Sequence, residues 1–288
     1  MRVLRSPAEA QAACRAAARG GTLGFVPTMG ALHAGHAALL RRARAENDTV
    51  ALSIFVNPLQ FDEAADYARY PRSAEADARL AERAGCDLLL LLERDALYPP
   101  GFATRIDQPQ LSGVLEGAAR PGHFAGVLTV VAKLFALAQP ARAYFGRKDL
   151  QQTVLVRRMV ADLNLPLELV VCDTVRDADG LALSSRNAFL APSDRARGLS
   201  LVRALAAAEA AFEAGERRAD ALRAVLAREL AALPAPPDYA EIVDPDDLSP
   251  RAAARAGDVA VLAARVGKVR LIDNHVLGAR LGPFTPRP

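Results

Sequence analysis

The chain has 288 residues, of which 51% are hydrophobic, and it carries a formal net charge of +3. This length and apolar content allow a full hydrophobic core and favour two domains. The basic residues are spread along helix patterns and do not cluster with aromatic residues, which argues against a nucleic-acid partner and leaves small anionic ligands open.

The cysteines and the apolar runs indicate in which cellular compartment the protein is expected. Cys14, Cys86 and Cys172 lie far apart and form no C-x-x-C pair, so neither a disulfide framework nor a zinc site is indicated. The longest apolar run, residues 126–138, contains Lys133 and is shorter than the roughly 20 residues that span a bilayer. We therefore expect a cytoplasmic protein without a membrane partner.

The N-terminal part of the chain alternates strand and helix patterns. A capping box at Ser6 and Glu9 and a stop at Gly20-Gly21 favour an ordinary first helix over a transit peptide. Further strands are predicted at residues 23–27, 50–56, 88–92, 142–145 and 167–172, and helices at 35–46, 74–84, 122–138 and 150–163. This alternation predicts a doubly wound, Rossmann-like α/β domain with a parallel sheet, whose ligands bind beyond the carboxyl ends of the strands.

The pattern changes after residue 174. Two alanine-rich helices, residues 193–214 and 219–233, precede a Pro-rich break and strands at 239–243, 259–266 and 269–274. The last two strands join at Gly267-Lys268 like a hairpin. We predict a Rossmann-like domain over residues 1–174 and a smaller α+β lid domain over residues 175–288.

The first candidate functional segment is the turn between the first of these strands and the next helix. Small residues at Gly30, Ala31, Ala34 and Gly35 let a ligand approach the backbone. His33 and His36 lie one helical turn apart, at a helix N-terminus that favours phosphate. The alternative is a glycine-containing turn with surface or capping histidines.

Three other strand ends or turns carry polar residues. Asn57 and Gln60 follow the second of these strands, and their amides suit a ligand with hydroxyls and a carboxylate. Lys148 and Gln152 follow residues 142–145, and residues 183–187 read Leu-Ser-Ser-Arg-Asn, a plausible polyphosphate clamp. The alternative for the first of these three segments is a simple strand-ending turn, and for the other two it is a turn with solvated charges. Asp77 is a weak candidate for a metal ligand, since a carboxylate early in a helix usually favours the dipole alone.

The set of motifs, in their order along the chain, resembles that of the pantothenate synthetase family, within the H-x-G-H nucleotidyltransferase superfamily. The resemblance covers nearly the whole chain, through P-T-M-G-A-L-H-x-G-H, S-I-F-V-N-P-x-Q-F, Y-P-R, R-P-x-H-F-x-G-V, F-G-x-K-D-x-Q-Q and T-V-R-x-x-D-G-L-A-x-S-S-R-N. It implies ATP-dependent joining of pantoate and β-alanine through a pantoyl adenylate, with release of AMP and pyrophosphate. It also implies a homodimer and Mg²⁺ that travels with the nucleotide.

The resemblance also implies roles for residues. The catalytic group comprises His36 as proton donor, with His33 and Lys148 on the phosphates. Gln60 and Gln152 hold pantoate, with Asn57 beside them, and Asp77 is the weak magnesium candidate. The ATP contacts are Met29, Gly30, Ala31, Leu32, His33, Ala34, Gly35, His36, Gly146, Arg147, Lys148, Asp149, Val175, Leu183, Ser184, Ser185 and Arg186.

Several positions depart from the family pattern. Leu183 replaces a common Met, a change that conserves volume. Asp62 stands where the family usually has Gly, and Ala65 stands where it often has Glu. These two changes predict an altered edge of the pantoate pocket. Arg147 replaces Glu or Lys and would add positive charge near phosphate.

Two other functions remain open from the sequence. One is an H-x-G-H enzyme that moves a nucleotide onto a phosphate ester, but such an acceptor calls for Arg or Lys where Gln60 and Gln152 stand. The other is a nucleotide-binding regulatory module without catalysis, against which the intact His33, His36, Lys148 and Arg186 argue.

Overall fold

The computed structural model describes residues 1–61 and 64–281, apart from the side chains of residues 64–66. The chain divides into two compact units. The first comprises Met1–Gly146 and Leu155–Cys172, and the second comprises Arg147–Val154 and the residues from Asp173 onward.

The first unit is built on a parallel sheet, which confirms the predicted α/β class. In the described residues its strands are β1 (Arg2–Leu4), β2 (Leu23–Thr28), β3 (Thr49–Ile54), β4 (Leu88–Leu91), β5 (Arg142–Gly146) and β6 (Glu168–Cys172). They pair in the order β1-β4-β3-β2-β5-β6, all in parallel. The direction in which the chain adds strands to the sheet changes between the neighbouring strands β2 and β5. Doubly wound sheets bind their ligands at such a point.

Helices flank these strands along the chain. They are α1 (Pro7–Gly20), α2 (Ala34–Glu46), α3 (Ala64–Arg69), α4 (Ala74–Arg83), α5 (Arg94–Leu97), α6 (Pro109–Ser112), α7 (Leu115–Ala119), α8 (His123–Ala138) and α9 (Leu150–Asp162). Single 3-10 turns occupy Pro58–Gln60 and Arg147–Asp149.

Successive residues of the central strands serve two separate hydrophobic cores. Phe25 packs in a core with side chains of α1 and α8, whereas the adjacent Val26 packs in a core with side chains of α2 and α4. Ala51 and Leu52 of β3 divide in the same way. Because neighbouring strand residues point to opposite faces, both faces of the sheet are buried, and this accounts for the uninterrupted apolar strands in the sequence.

The second unit has its own core. Helices α10 (Pro192–Glu213) and α11 (Ala219–Leu230) pack with an antiparallel sheet in the order β7 (Tyr239–Val243), β8 (Val259–Val266) and β9 (Val269–Val276). Gly267 turns β8 into β9 at a φ of 59°, as expected of a hairpin glycine. The small α+β region was therefore predicted correctly in class. No helix in the described residues is long and apolar enough to cross a membrane.

Some elements differ from the sequence prediction. The edge strand β1 was missed because three residues are too few to show a hydrophobic period. Helix α8 begins at His123 and not at Gly122, because Gly122 adopts a φ of 82° and lies outside the helix. The predicted strand over residues 50–56 ends at Ile54, where the chain turns toward the 3-10 turn.

The cysteine environments predict a thiol-titration pattern. Cys14 and Cys86 are buried, and burial raises the pKa of Cys14 to about 11 and that of Cys86 to about 12. Cys172 is half-buried. Since the thiolate is the reactive form, a disulfide reagent at pH 8 should modify at most one cysteine of the native chain rapidly, and all three after denaturation.

The control for this titration is Cys172→Ser, which should abolish the rapid phase in the native protein. A second thiol that reacts as fast as Cys172 before unfolding would contradict the burial of Cys14 and Cys86.

Candidate active site

The turn after β2 has an unusual backbone. Gly30 and Ala31 have φ values of 85° and 50°, the left-handed region that side chains disfavour. The hydroxyl of Thr28 supports the turn, since it accepts a hydrogen bond from the Gly30 N–H at 3.2 Å and donates to the Ser53 carbonyl at 2.7 Å. This strained conformation therefore depends on hydrogen bonds to neighbouring elements.

The carboxylate of Asp77 anchors the same turn. Its Oδ2 accepts from the Ala31 N–H and its Oδ1 from the Leu32 N–H, each at 2.8 Å, while the Ser73 hydroxyl donates to Oδ1 at 3.0 Å. The side chain is 2% exposed. A Cβ on Gly30 would lie 3.0 Å from Oδ2, so glycine also makes room for the carboxylate. This geometry favours an anchoring role for Asp77 over the predicted metal role.

His33 caps the N-terminus of α2, and His36 lies in the first turn of that helix. The Nδ1 atom of His33 accepts from the Gly35 N–H at 3.1 Å, and Nδ1 of His36 accepts from the His33 N–H at 3.3 Å. A nitrogen that accepts from an N–H carries no proton, so each neutral imidazole must hold its proton on Nε2. The ring centroids are 4.1 Å apart. The turn therefore offers two Nε2–H donors beside the N-terminus of a 13-residue helix, where backbone N–H groups also favour anions.

Gln60 lies at the end of the 3-10 turn that follows β3. Its side-chain Nε2 is 3.1 Å from the sulfur of Met29, so the structure brings this predicted substrate residue to the turn after β2. Asn57 is 1% exposed and donates to Oε1 of Gln60 at 3.0 Å. Asn57 thus supports Gln60, and its predicted contact with substrate stays a prediction.

The backbone of Gln60 is held by residues that sequence reasoning did not assign. Nδ1 of His123 and the Arg120 guanidinium both contact the Gln60 carbonyl, at 2.8 and 3.0 Å. Gly126 lets α8 approach closely, since a Cβ there would lie 2.2 Å from the Leu59 carbonyl oxygen. The R-P-x-H-F-x-G-V motif, residues 120–127, was the available signal, and its residues serve as supports for Gln60.

The second unit contains Lys148 in the 3-10 turn Arg147–Asp149. The side-chain Nδ2 of Asn274, on β9, donates to the carbonyls of Arg147 and Lys148, both at 2.9 Å. The guanidinium of Arg147 forms an ion pair with Asp173 at 3.2 Å, which partly compensates the extra charge expected at this position. Lys148 and Gln152 are half-buried, and Asp149 is exposed.

Residues 175–186 form the other predicted nucleotide segment. The Leu183 N–H donates to the Val175 carbonyl at 3.0 Å, and Ser184 caps a 3-10 turn, Ser185–Phe189, by accepting from the Arg186 N–H at 3.2 Å. Arg176 is 1% exposed and pairs with Asp273 through both terminal nitrogens, at 2.6 and 2.9 Å. This buried pair joins Arg176, which forms an isolated bridge with Ala182, to strand β9.

Two of the positions that depart from the family pattern lie wholly or partly outside the described residues. Asp62 lies outside them, as does the side chain of Ala65. Within the described part of the chain, no three His, Cys, Asp or Glu side chains come together to hold a metal ion.

The Asp77 anchor yields a prediction with two variants. Asp77→Ala removes both acceptors, and Asp77→Asn replaces one of them with an NH₂ group that faces a backbone N–H whichever way the amide lies. Because an unpaired buried N–H costs about 1–3 kcal/mol, both variants should weaken binding of the expected ligand ATP roughly tenfold or more in calorimetry.

Glu75→Gln is the matched control, since Glu75 lies in the first turn of the same helix with a 92% exposed side chain. It should bind ATP as the parent does. Unaltered ATP affinity in a folded Asp77→Asn variant would contradict the anchoring role.

The same arrangement of sequence and fold occurs in known proteins. The family described as Pantoate-beta-alanine ligase matches residues 2–276. A pantothenate synthetase of Roseiflexus sp. (strain RS-1) is 53% identical over 280 residues, 97% of this chain and 100% of the relative. A crystal structure of pantothenate synthetase from Thermus thermophilus matches with a TM-score of 0.91 and 48% identity, over 96% of this chain and 99% of that one.

A third match carries ligands. The crystal structure of pantoate-beta-alanine ligase from Francisella tularensis, complexed with beta-gamma ATP and beta-alanine, has a TM-score of 0.79 and 32% identity, over 98% of this chain and 100% of that one. Fold, sequence and motif order agree over nearly the whole length. The chain therefore belongs to the pantoate-beta-alanine ligase family.

Proposed function

We propose that the chain catalyses the ATP-dependent condensation of (R)-pantoate with β-alanine, giving pantothenate, AMP and pyrophosphate through a pantoyl adenylate. The observation that carries this proposal is the anchored turn after β2, in which two Nε2–H donors and a helix N-terminus lie on the same turn as Met29, the residue that Gln60 contacts. The 53% identity to a pantothenate synthetase over 97% of the chain supports it.

ATP is held, in this proposal, by residues 29–36, 146–149, 175 and 183–186. Backbone N–H groups at the start of α2 and the imidazoles of His33 and His36 meet the phosphates, and Lys148 adds a mobile point charge. Arg186 and the hydroxyls of Ser184 and Ser185 complete the polyphosphate contacts. The Francisella tularensis relative, solved with beta-gamma ATP, supports nucleotide binding.

The chemistry follows from these contacts. The pantoate carboxylate attacks the α-phosphorus, the bond to the bridging oxygen breaks, and pyrophosphate leaves with the electron pair. Negative charge accumulates on the phosphate oxygens in the transition state, and positioned donors stabilise it most strongly. His36 donates a hydrogen bond toward this charge from its Nε2–H and keeps the proton, since its Nδ1 already accepts from the His33 N–H. The neutral β-alanine amine then attacks the acyl carbon, the carbon–oxygen bond to AMP breaks, AMP leaves with that electron pair, and the nitrogen releases a proton to solvent.

Gln60 and Gln152 bind pantoate in this scheme. Their neutral amides suit hydroxyl and carboxylate groups and do not compete with Lys148 for phosphate. No covalent enzyme intermediate is needed, because the adenylate itself carries the activated acyl group. Asn57 supports Gln60 from a buried position. We further propose that residues 1–174 bind ATP and pantoate and that residues 175–288 act as a lid domain.

Magnesium, the homodimer and the cytoplasmic location rest on the family resemblance. The described residues do not fit a metal centre held by the protein, since Asp77 already accepts three hydrogen bonds and no group of three ligating side chains lies among them. We propose that Mg²⁺ arrives bound to the triphosphate, which is usual for this ion.

The direct test is an omission assay. AMP and pyrophosphate should form in equal amounts with pantothenate when ATP, pantoate and β-alanine are all present, and pyrophosphate should form in at most single-turnover amounts without β-alanine. Transfer of the nucleotide onto a phosphate ester, or no pyrophosphate at all, would instead support the alternatives open from the sequence.

Replacing His36 tests its proposed role as a hydrogen-bond donor to the phosphates. His36→Asn keeps an oxygen near the place of Nδ1 that can accept from the His33 N–H, but it lacks Nε2. We expect it to lower single-turnover adenylation roughly 10²-fold, about 3 kcal/mol in the transition state. His36→Gln, whose amide nitrogen reaches the place of Nε2, should recover part of that loss. An Asn variant as fast as the parent would refute the role.

A further inference from the structure

The orientation of the Asn57 side-chain amide is fixed by backbone groups. Its Nδ2 donates to the Gly126 carbonyl at 3.0 Å, and its Oδ1 accepts from the Leu59 N–H at 3.3 Å. A carbonyl oxygen only accepts and a backbone N–H only donates, so the amide cannot be turned round without two mismatches. The side chain is 1% exposed, so bulk solvent does not reach it to relieve such mismatches.

The orientation of the Asn57 amide determines that of the Gln60 side-chain amide. The second hydrogen on Nδ2 of Asn57 is donated to Oε1 of Gln60 at 3.0 Å. The carboxamide oxygen of Gln60 is thereby held inward, on Asn57, and its Nε2 is turned to the opposite side. There Nε2 meets the sulfur of Met29 at 3.1 Å. A thioether is a weak acceptor, so an oxygen of a bound ligand would be a stronger partner for this N–H.

Tyr98 completes the chain of hydrogen bonds. Its hydroxyl lies 2.9 Å from Oδ1 of Asn57, and because that oxygen can only accept, Tyr98 must be the donor. Burial raises the pKa of Tyr98 well above its usual value, so the hydroxyl keeps the proton that it donates. Phe55 packs against the ring edge-on, with centroids 5.7 Å apart, and helps to hold its position.

We propose that Tyr98 is a positioning residue that acts through Asn57 to fix Gln60 as a hydrogen-bond donor toward the acid substrate. The inference rests on the proposed function for the identity of that substrate. It adds the polarity of the contact: Gln60 reads an acceptor oxygen, a carboxylate or a hydroxyl lone pair, and does not accept from a substrate donor. The site therefore discriminates against acids with a donor group at that position.

Tyr98→Phe tests the positioning role, and Tyr144→Phe is its matched control. The hydroxyl of Tyr144 is also buried and bonded to an asparagine, Asn47, at 2.6 Å, but it lies in the other core of the first unit. Loss of one buried hydrogen bond in Tyr98→Phe should raise the pantoate KM about tenfold and leave the ATP KM within about twofold. Tyr144→Phe should leave both values unchanged.

A second pair of variants tests the polarity. Gln60→Glu keeps an oxygen for Asn57 but replaces the outward donor with an acceptor, whereas Gln60→Met offers neither. If Gln60 donates to substrate, the Glu variant should have the weaker pantoate affinity of the two, since it sets a carboxylate against an acceptor. Pantoate binding by Gln60→Glu that equals or exceeds that of Gln60→Met would overturn the inference.

A substrate-free readout separates this inference from the proposed function. In ¹H–¹⁵N spectra, the side-chain amide signals of Asn57 and Gln60 should shift in Tyr98→Phe and stay in place in Tyr144→Phe, with both variants melting cooperatively. Unmoved Gln60 signals in Tyr98→Phe would refute the relay. A parent chain that forms no pantothenate while these signals behave as expected would refute the proposed function alone.

Discussion

The acceptance of two backbone N–H groups by the Asp77 carboxylate is the interaction on which the site depends. Ala31 and Leu32 lie where the chain passes from β2 into α2, and their amides reach the carboxylate at 2.8 Å each. A buried carboxylate is stable only when its oxygens are fully used, and a left-handed Ala31 persists only when its surroundings hold it. The two N–H groups satisfy the oxygens of the buried carboxylate, and the carboxylate holds Ala31 in its left-handed conformation. Immediately after this turn, His33 caps α2 and His36 lies in its first turn.

The parallel sheet explains why separate stretches of sequence contribute to one site. Strands β2 and β3 pair in register from Leu23 with Thr49 to Thr28 with Ile54, so the turns that follow them begin at the same edge of the sheet. One turn presents His33 and His36, and the other presents Gln60. Each is stabilised by a buried polar side chain behind it, Asp77 for the first and Asn57 for the second. The groups proposed to contact the ligand are thus held in place by the protein itself, which lowers the cost of ordering them on binding.

Local pattern predicted the fold class and the segments that contain the site, but it did not reveal the supports. The strands were recognisable because both faces of the sheet are buried, and H-x-G-H was recognisable because its residues are adjacent. Asp77 meets Ala31 across 46 positions and Tyr98 meets Asn57 across 41, separations that leave no periodic signal in one sequence. Asp77 was accordingly considered for a metal and Asn57 for substrate. Residue type indicated polar chemistry at both positions, whereas the partner depends on tertiary structure.

In the proposed mechanism, the Nε2–H donors of His33 and His36 stabilise attack of a carboxylate on the α-phosphorus. The most direct measurement is mass spectrometry of the products formed from ATP, β-alanine and pantoate labelled with ¹⁸O in its carboxylate. Attack on the α-phosphorus transfers one carboxylate oxygen to that phosphorus, so the account predicts one ¹⁸O atom in AMP for each pantothenate formed. Label in inorganic phosphate, with ADP as the nucleotide product, would mean attack on the γ-phosphorus and would contradict the account even if pantothenate were made.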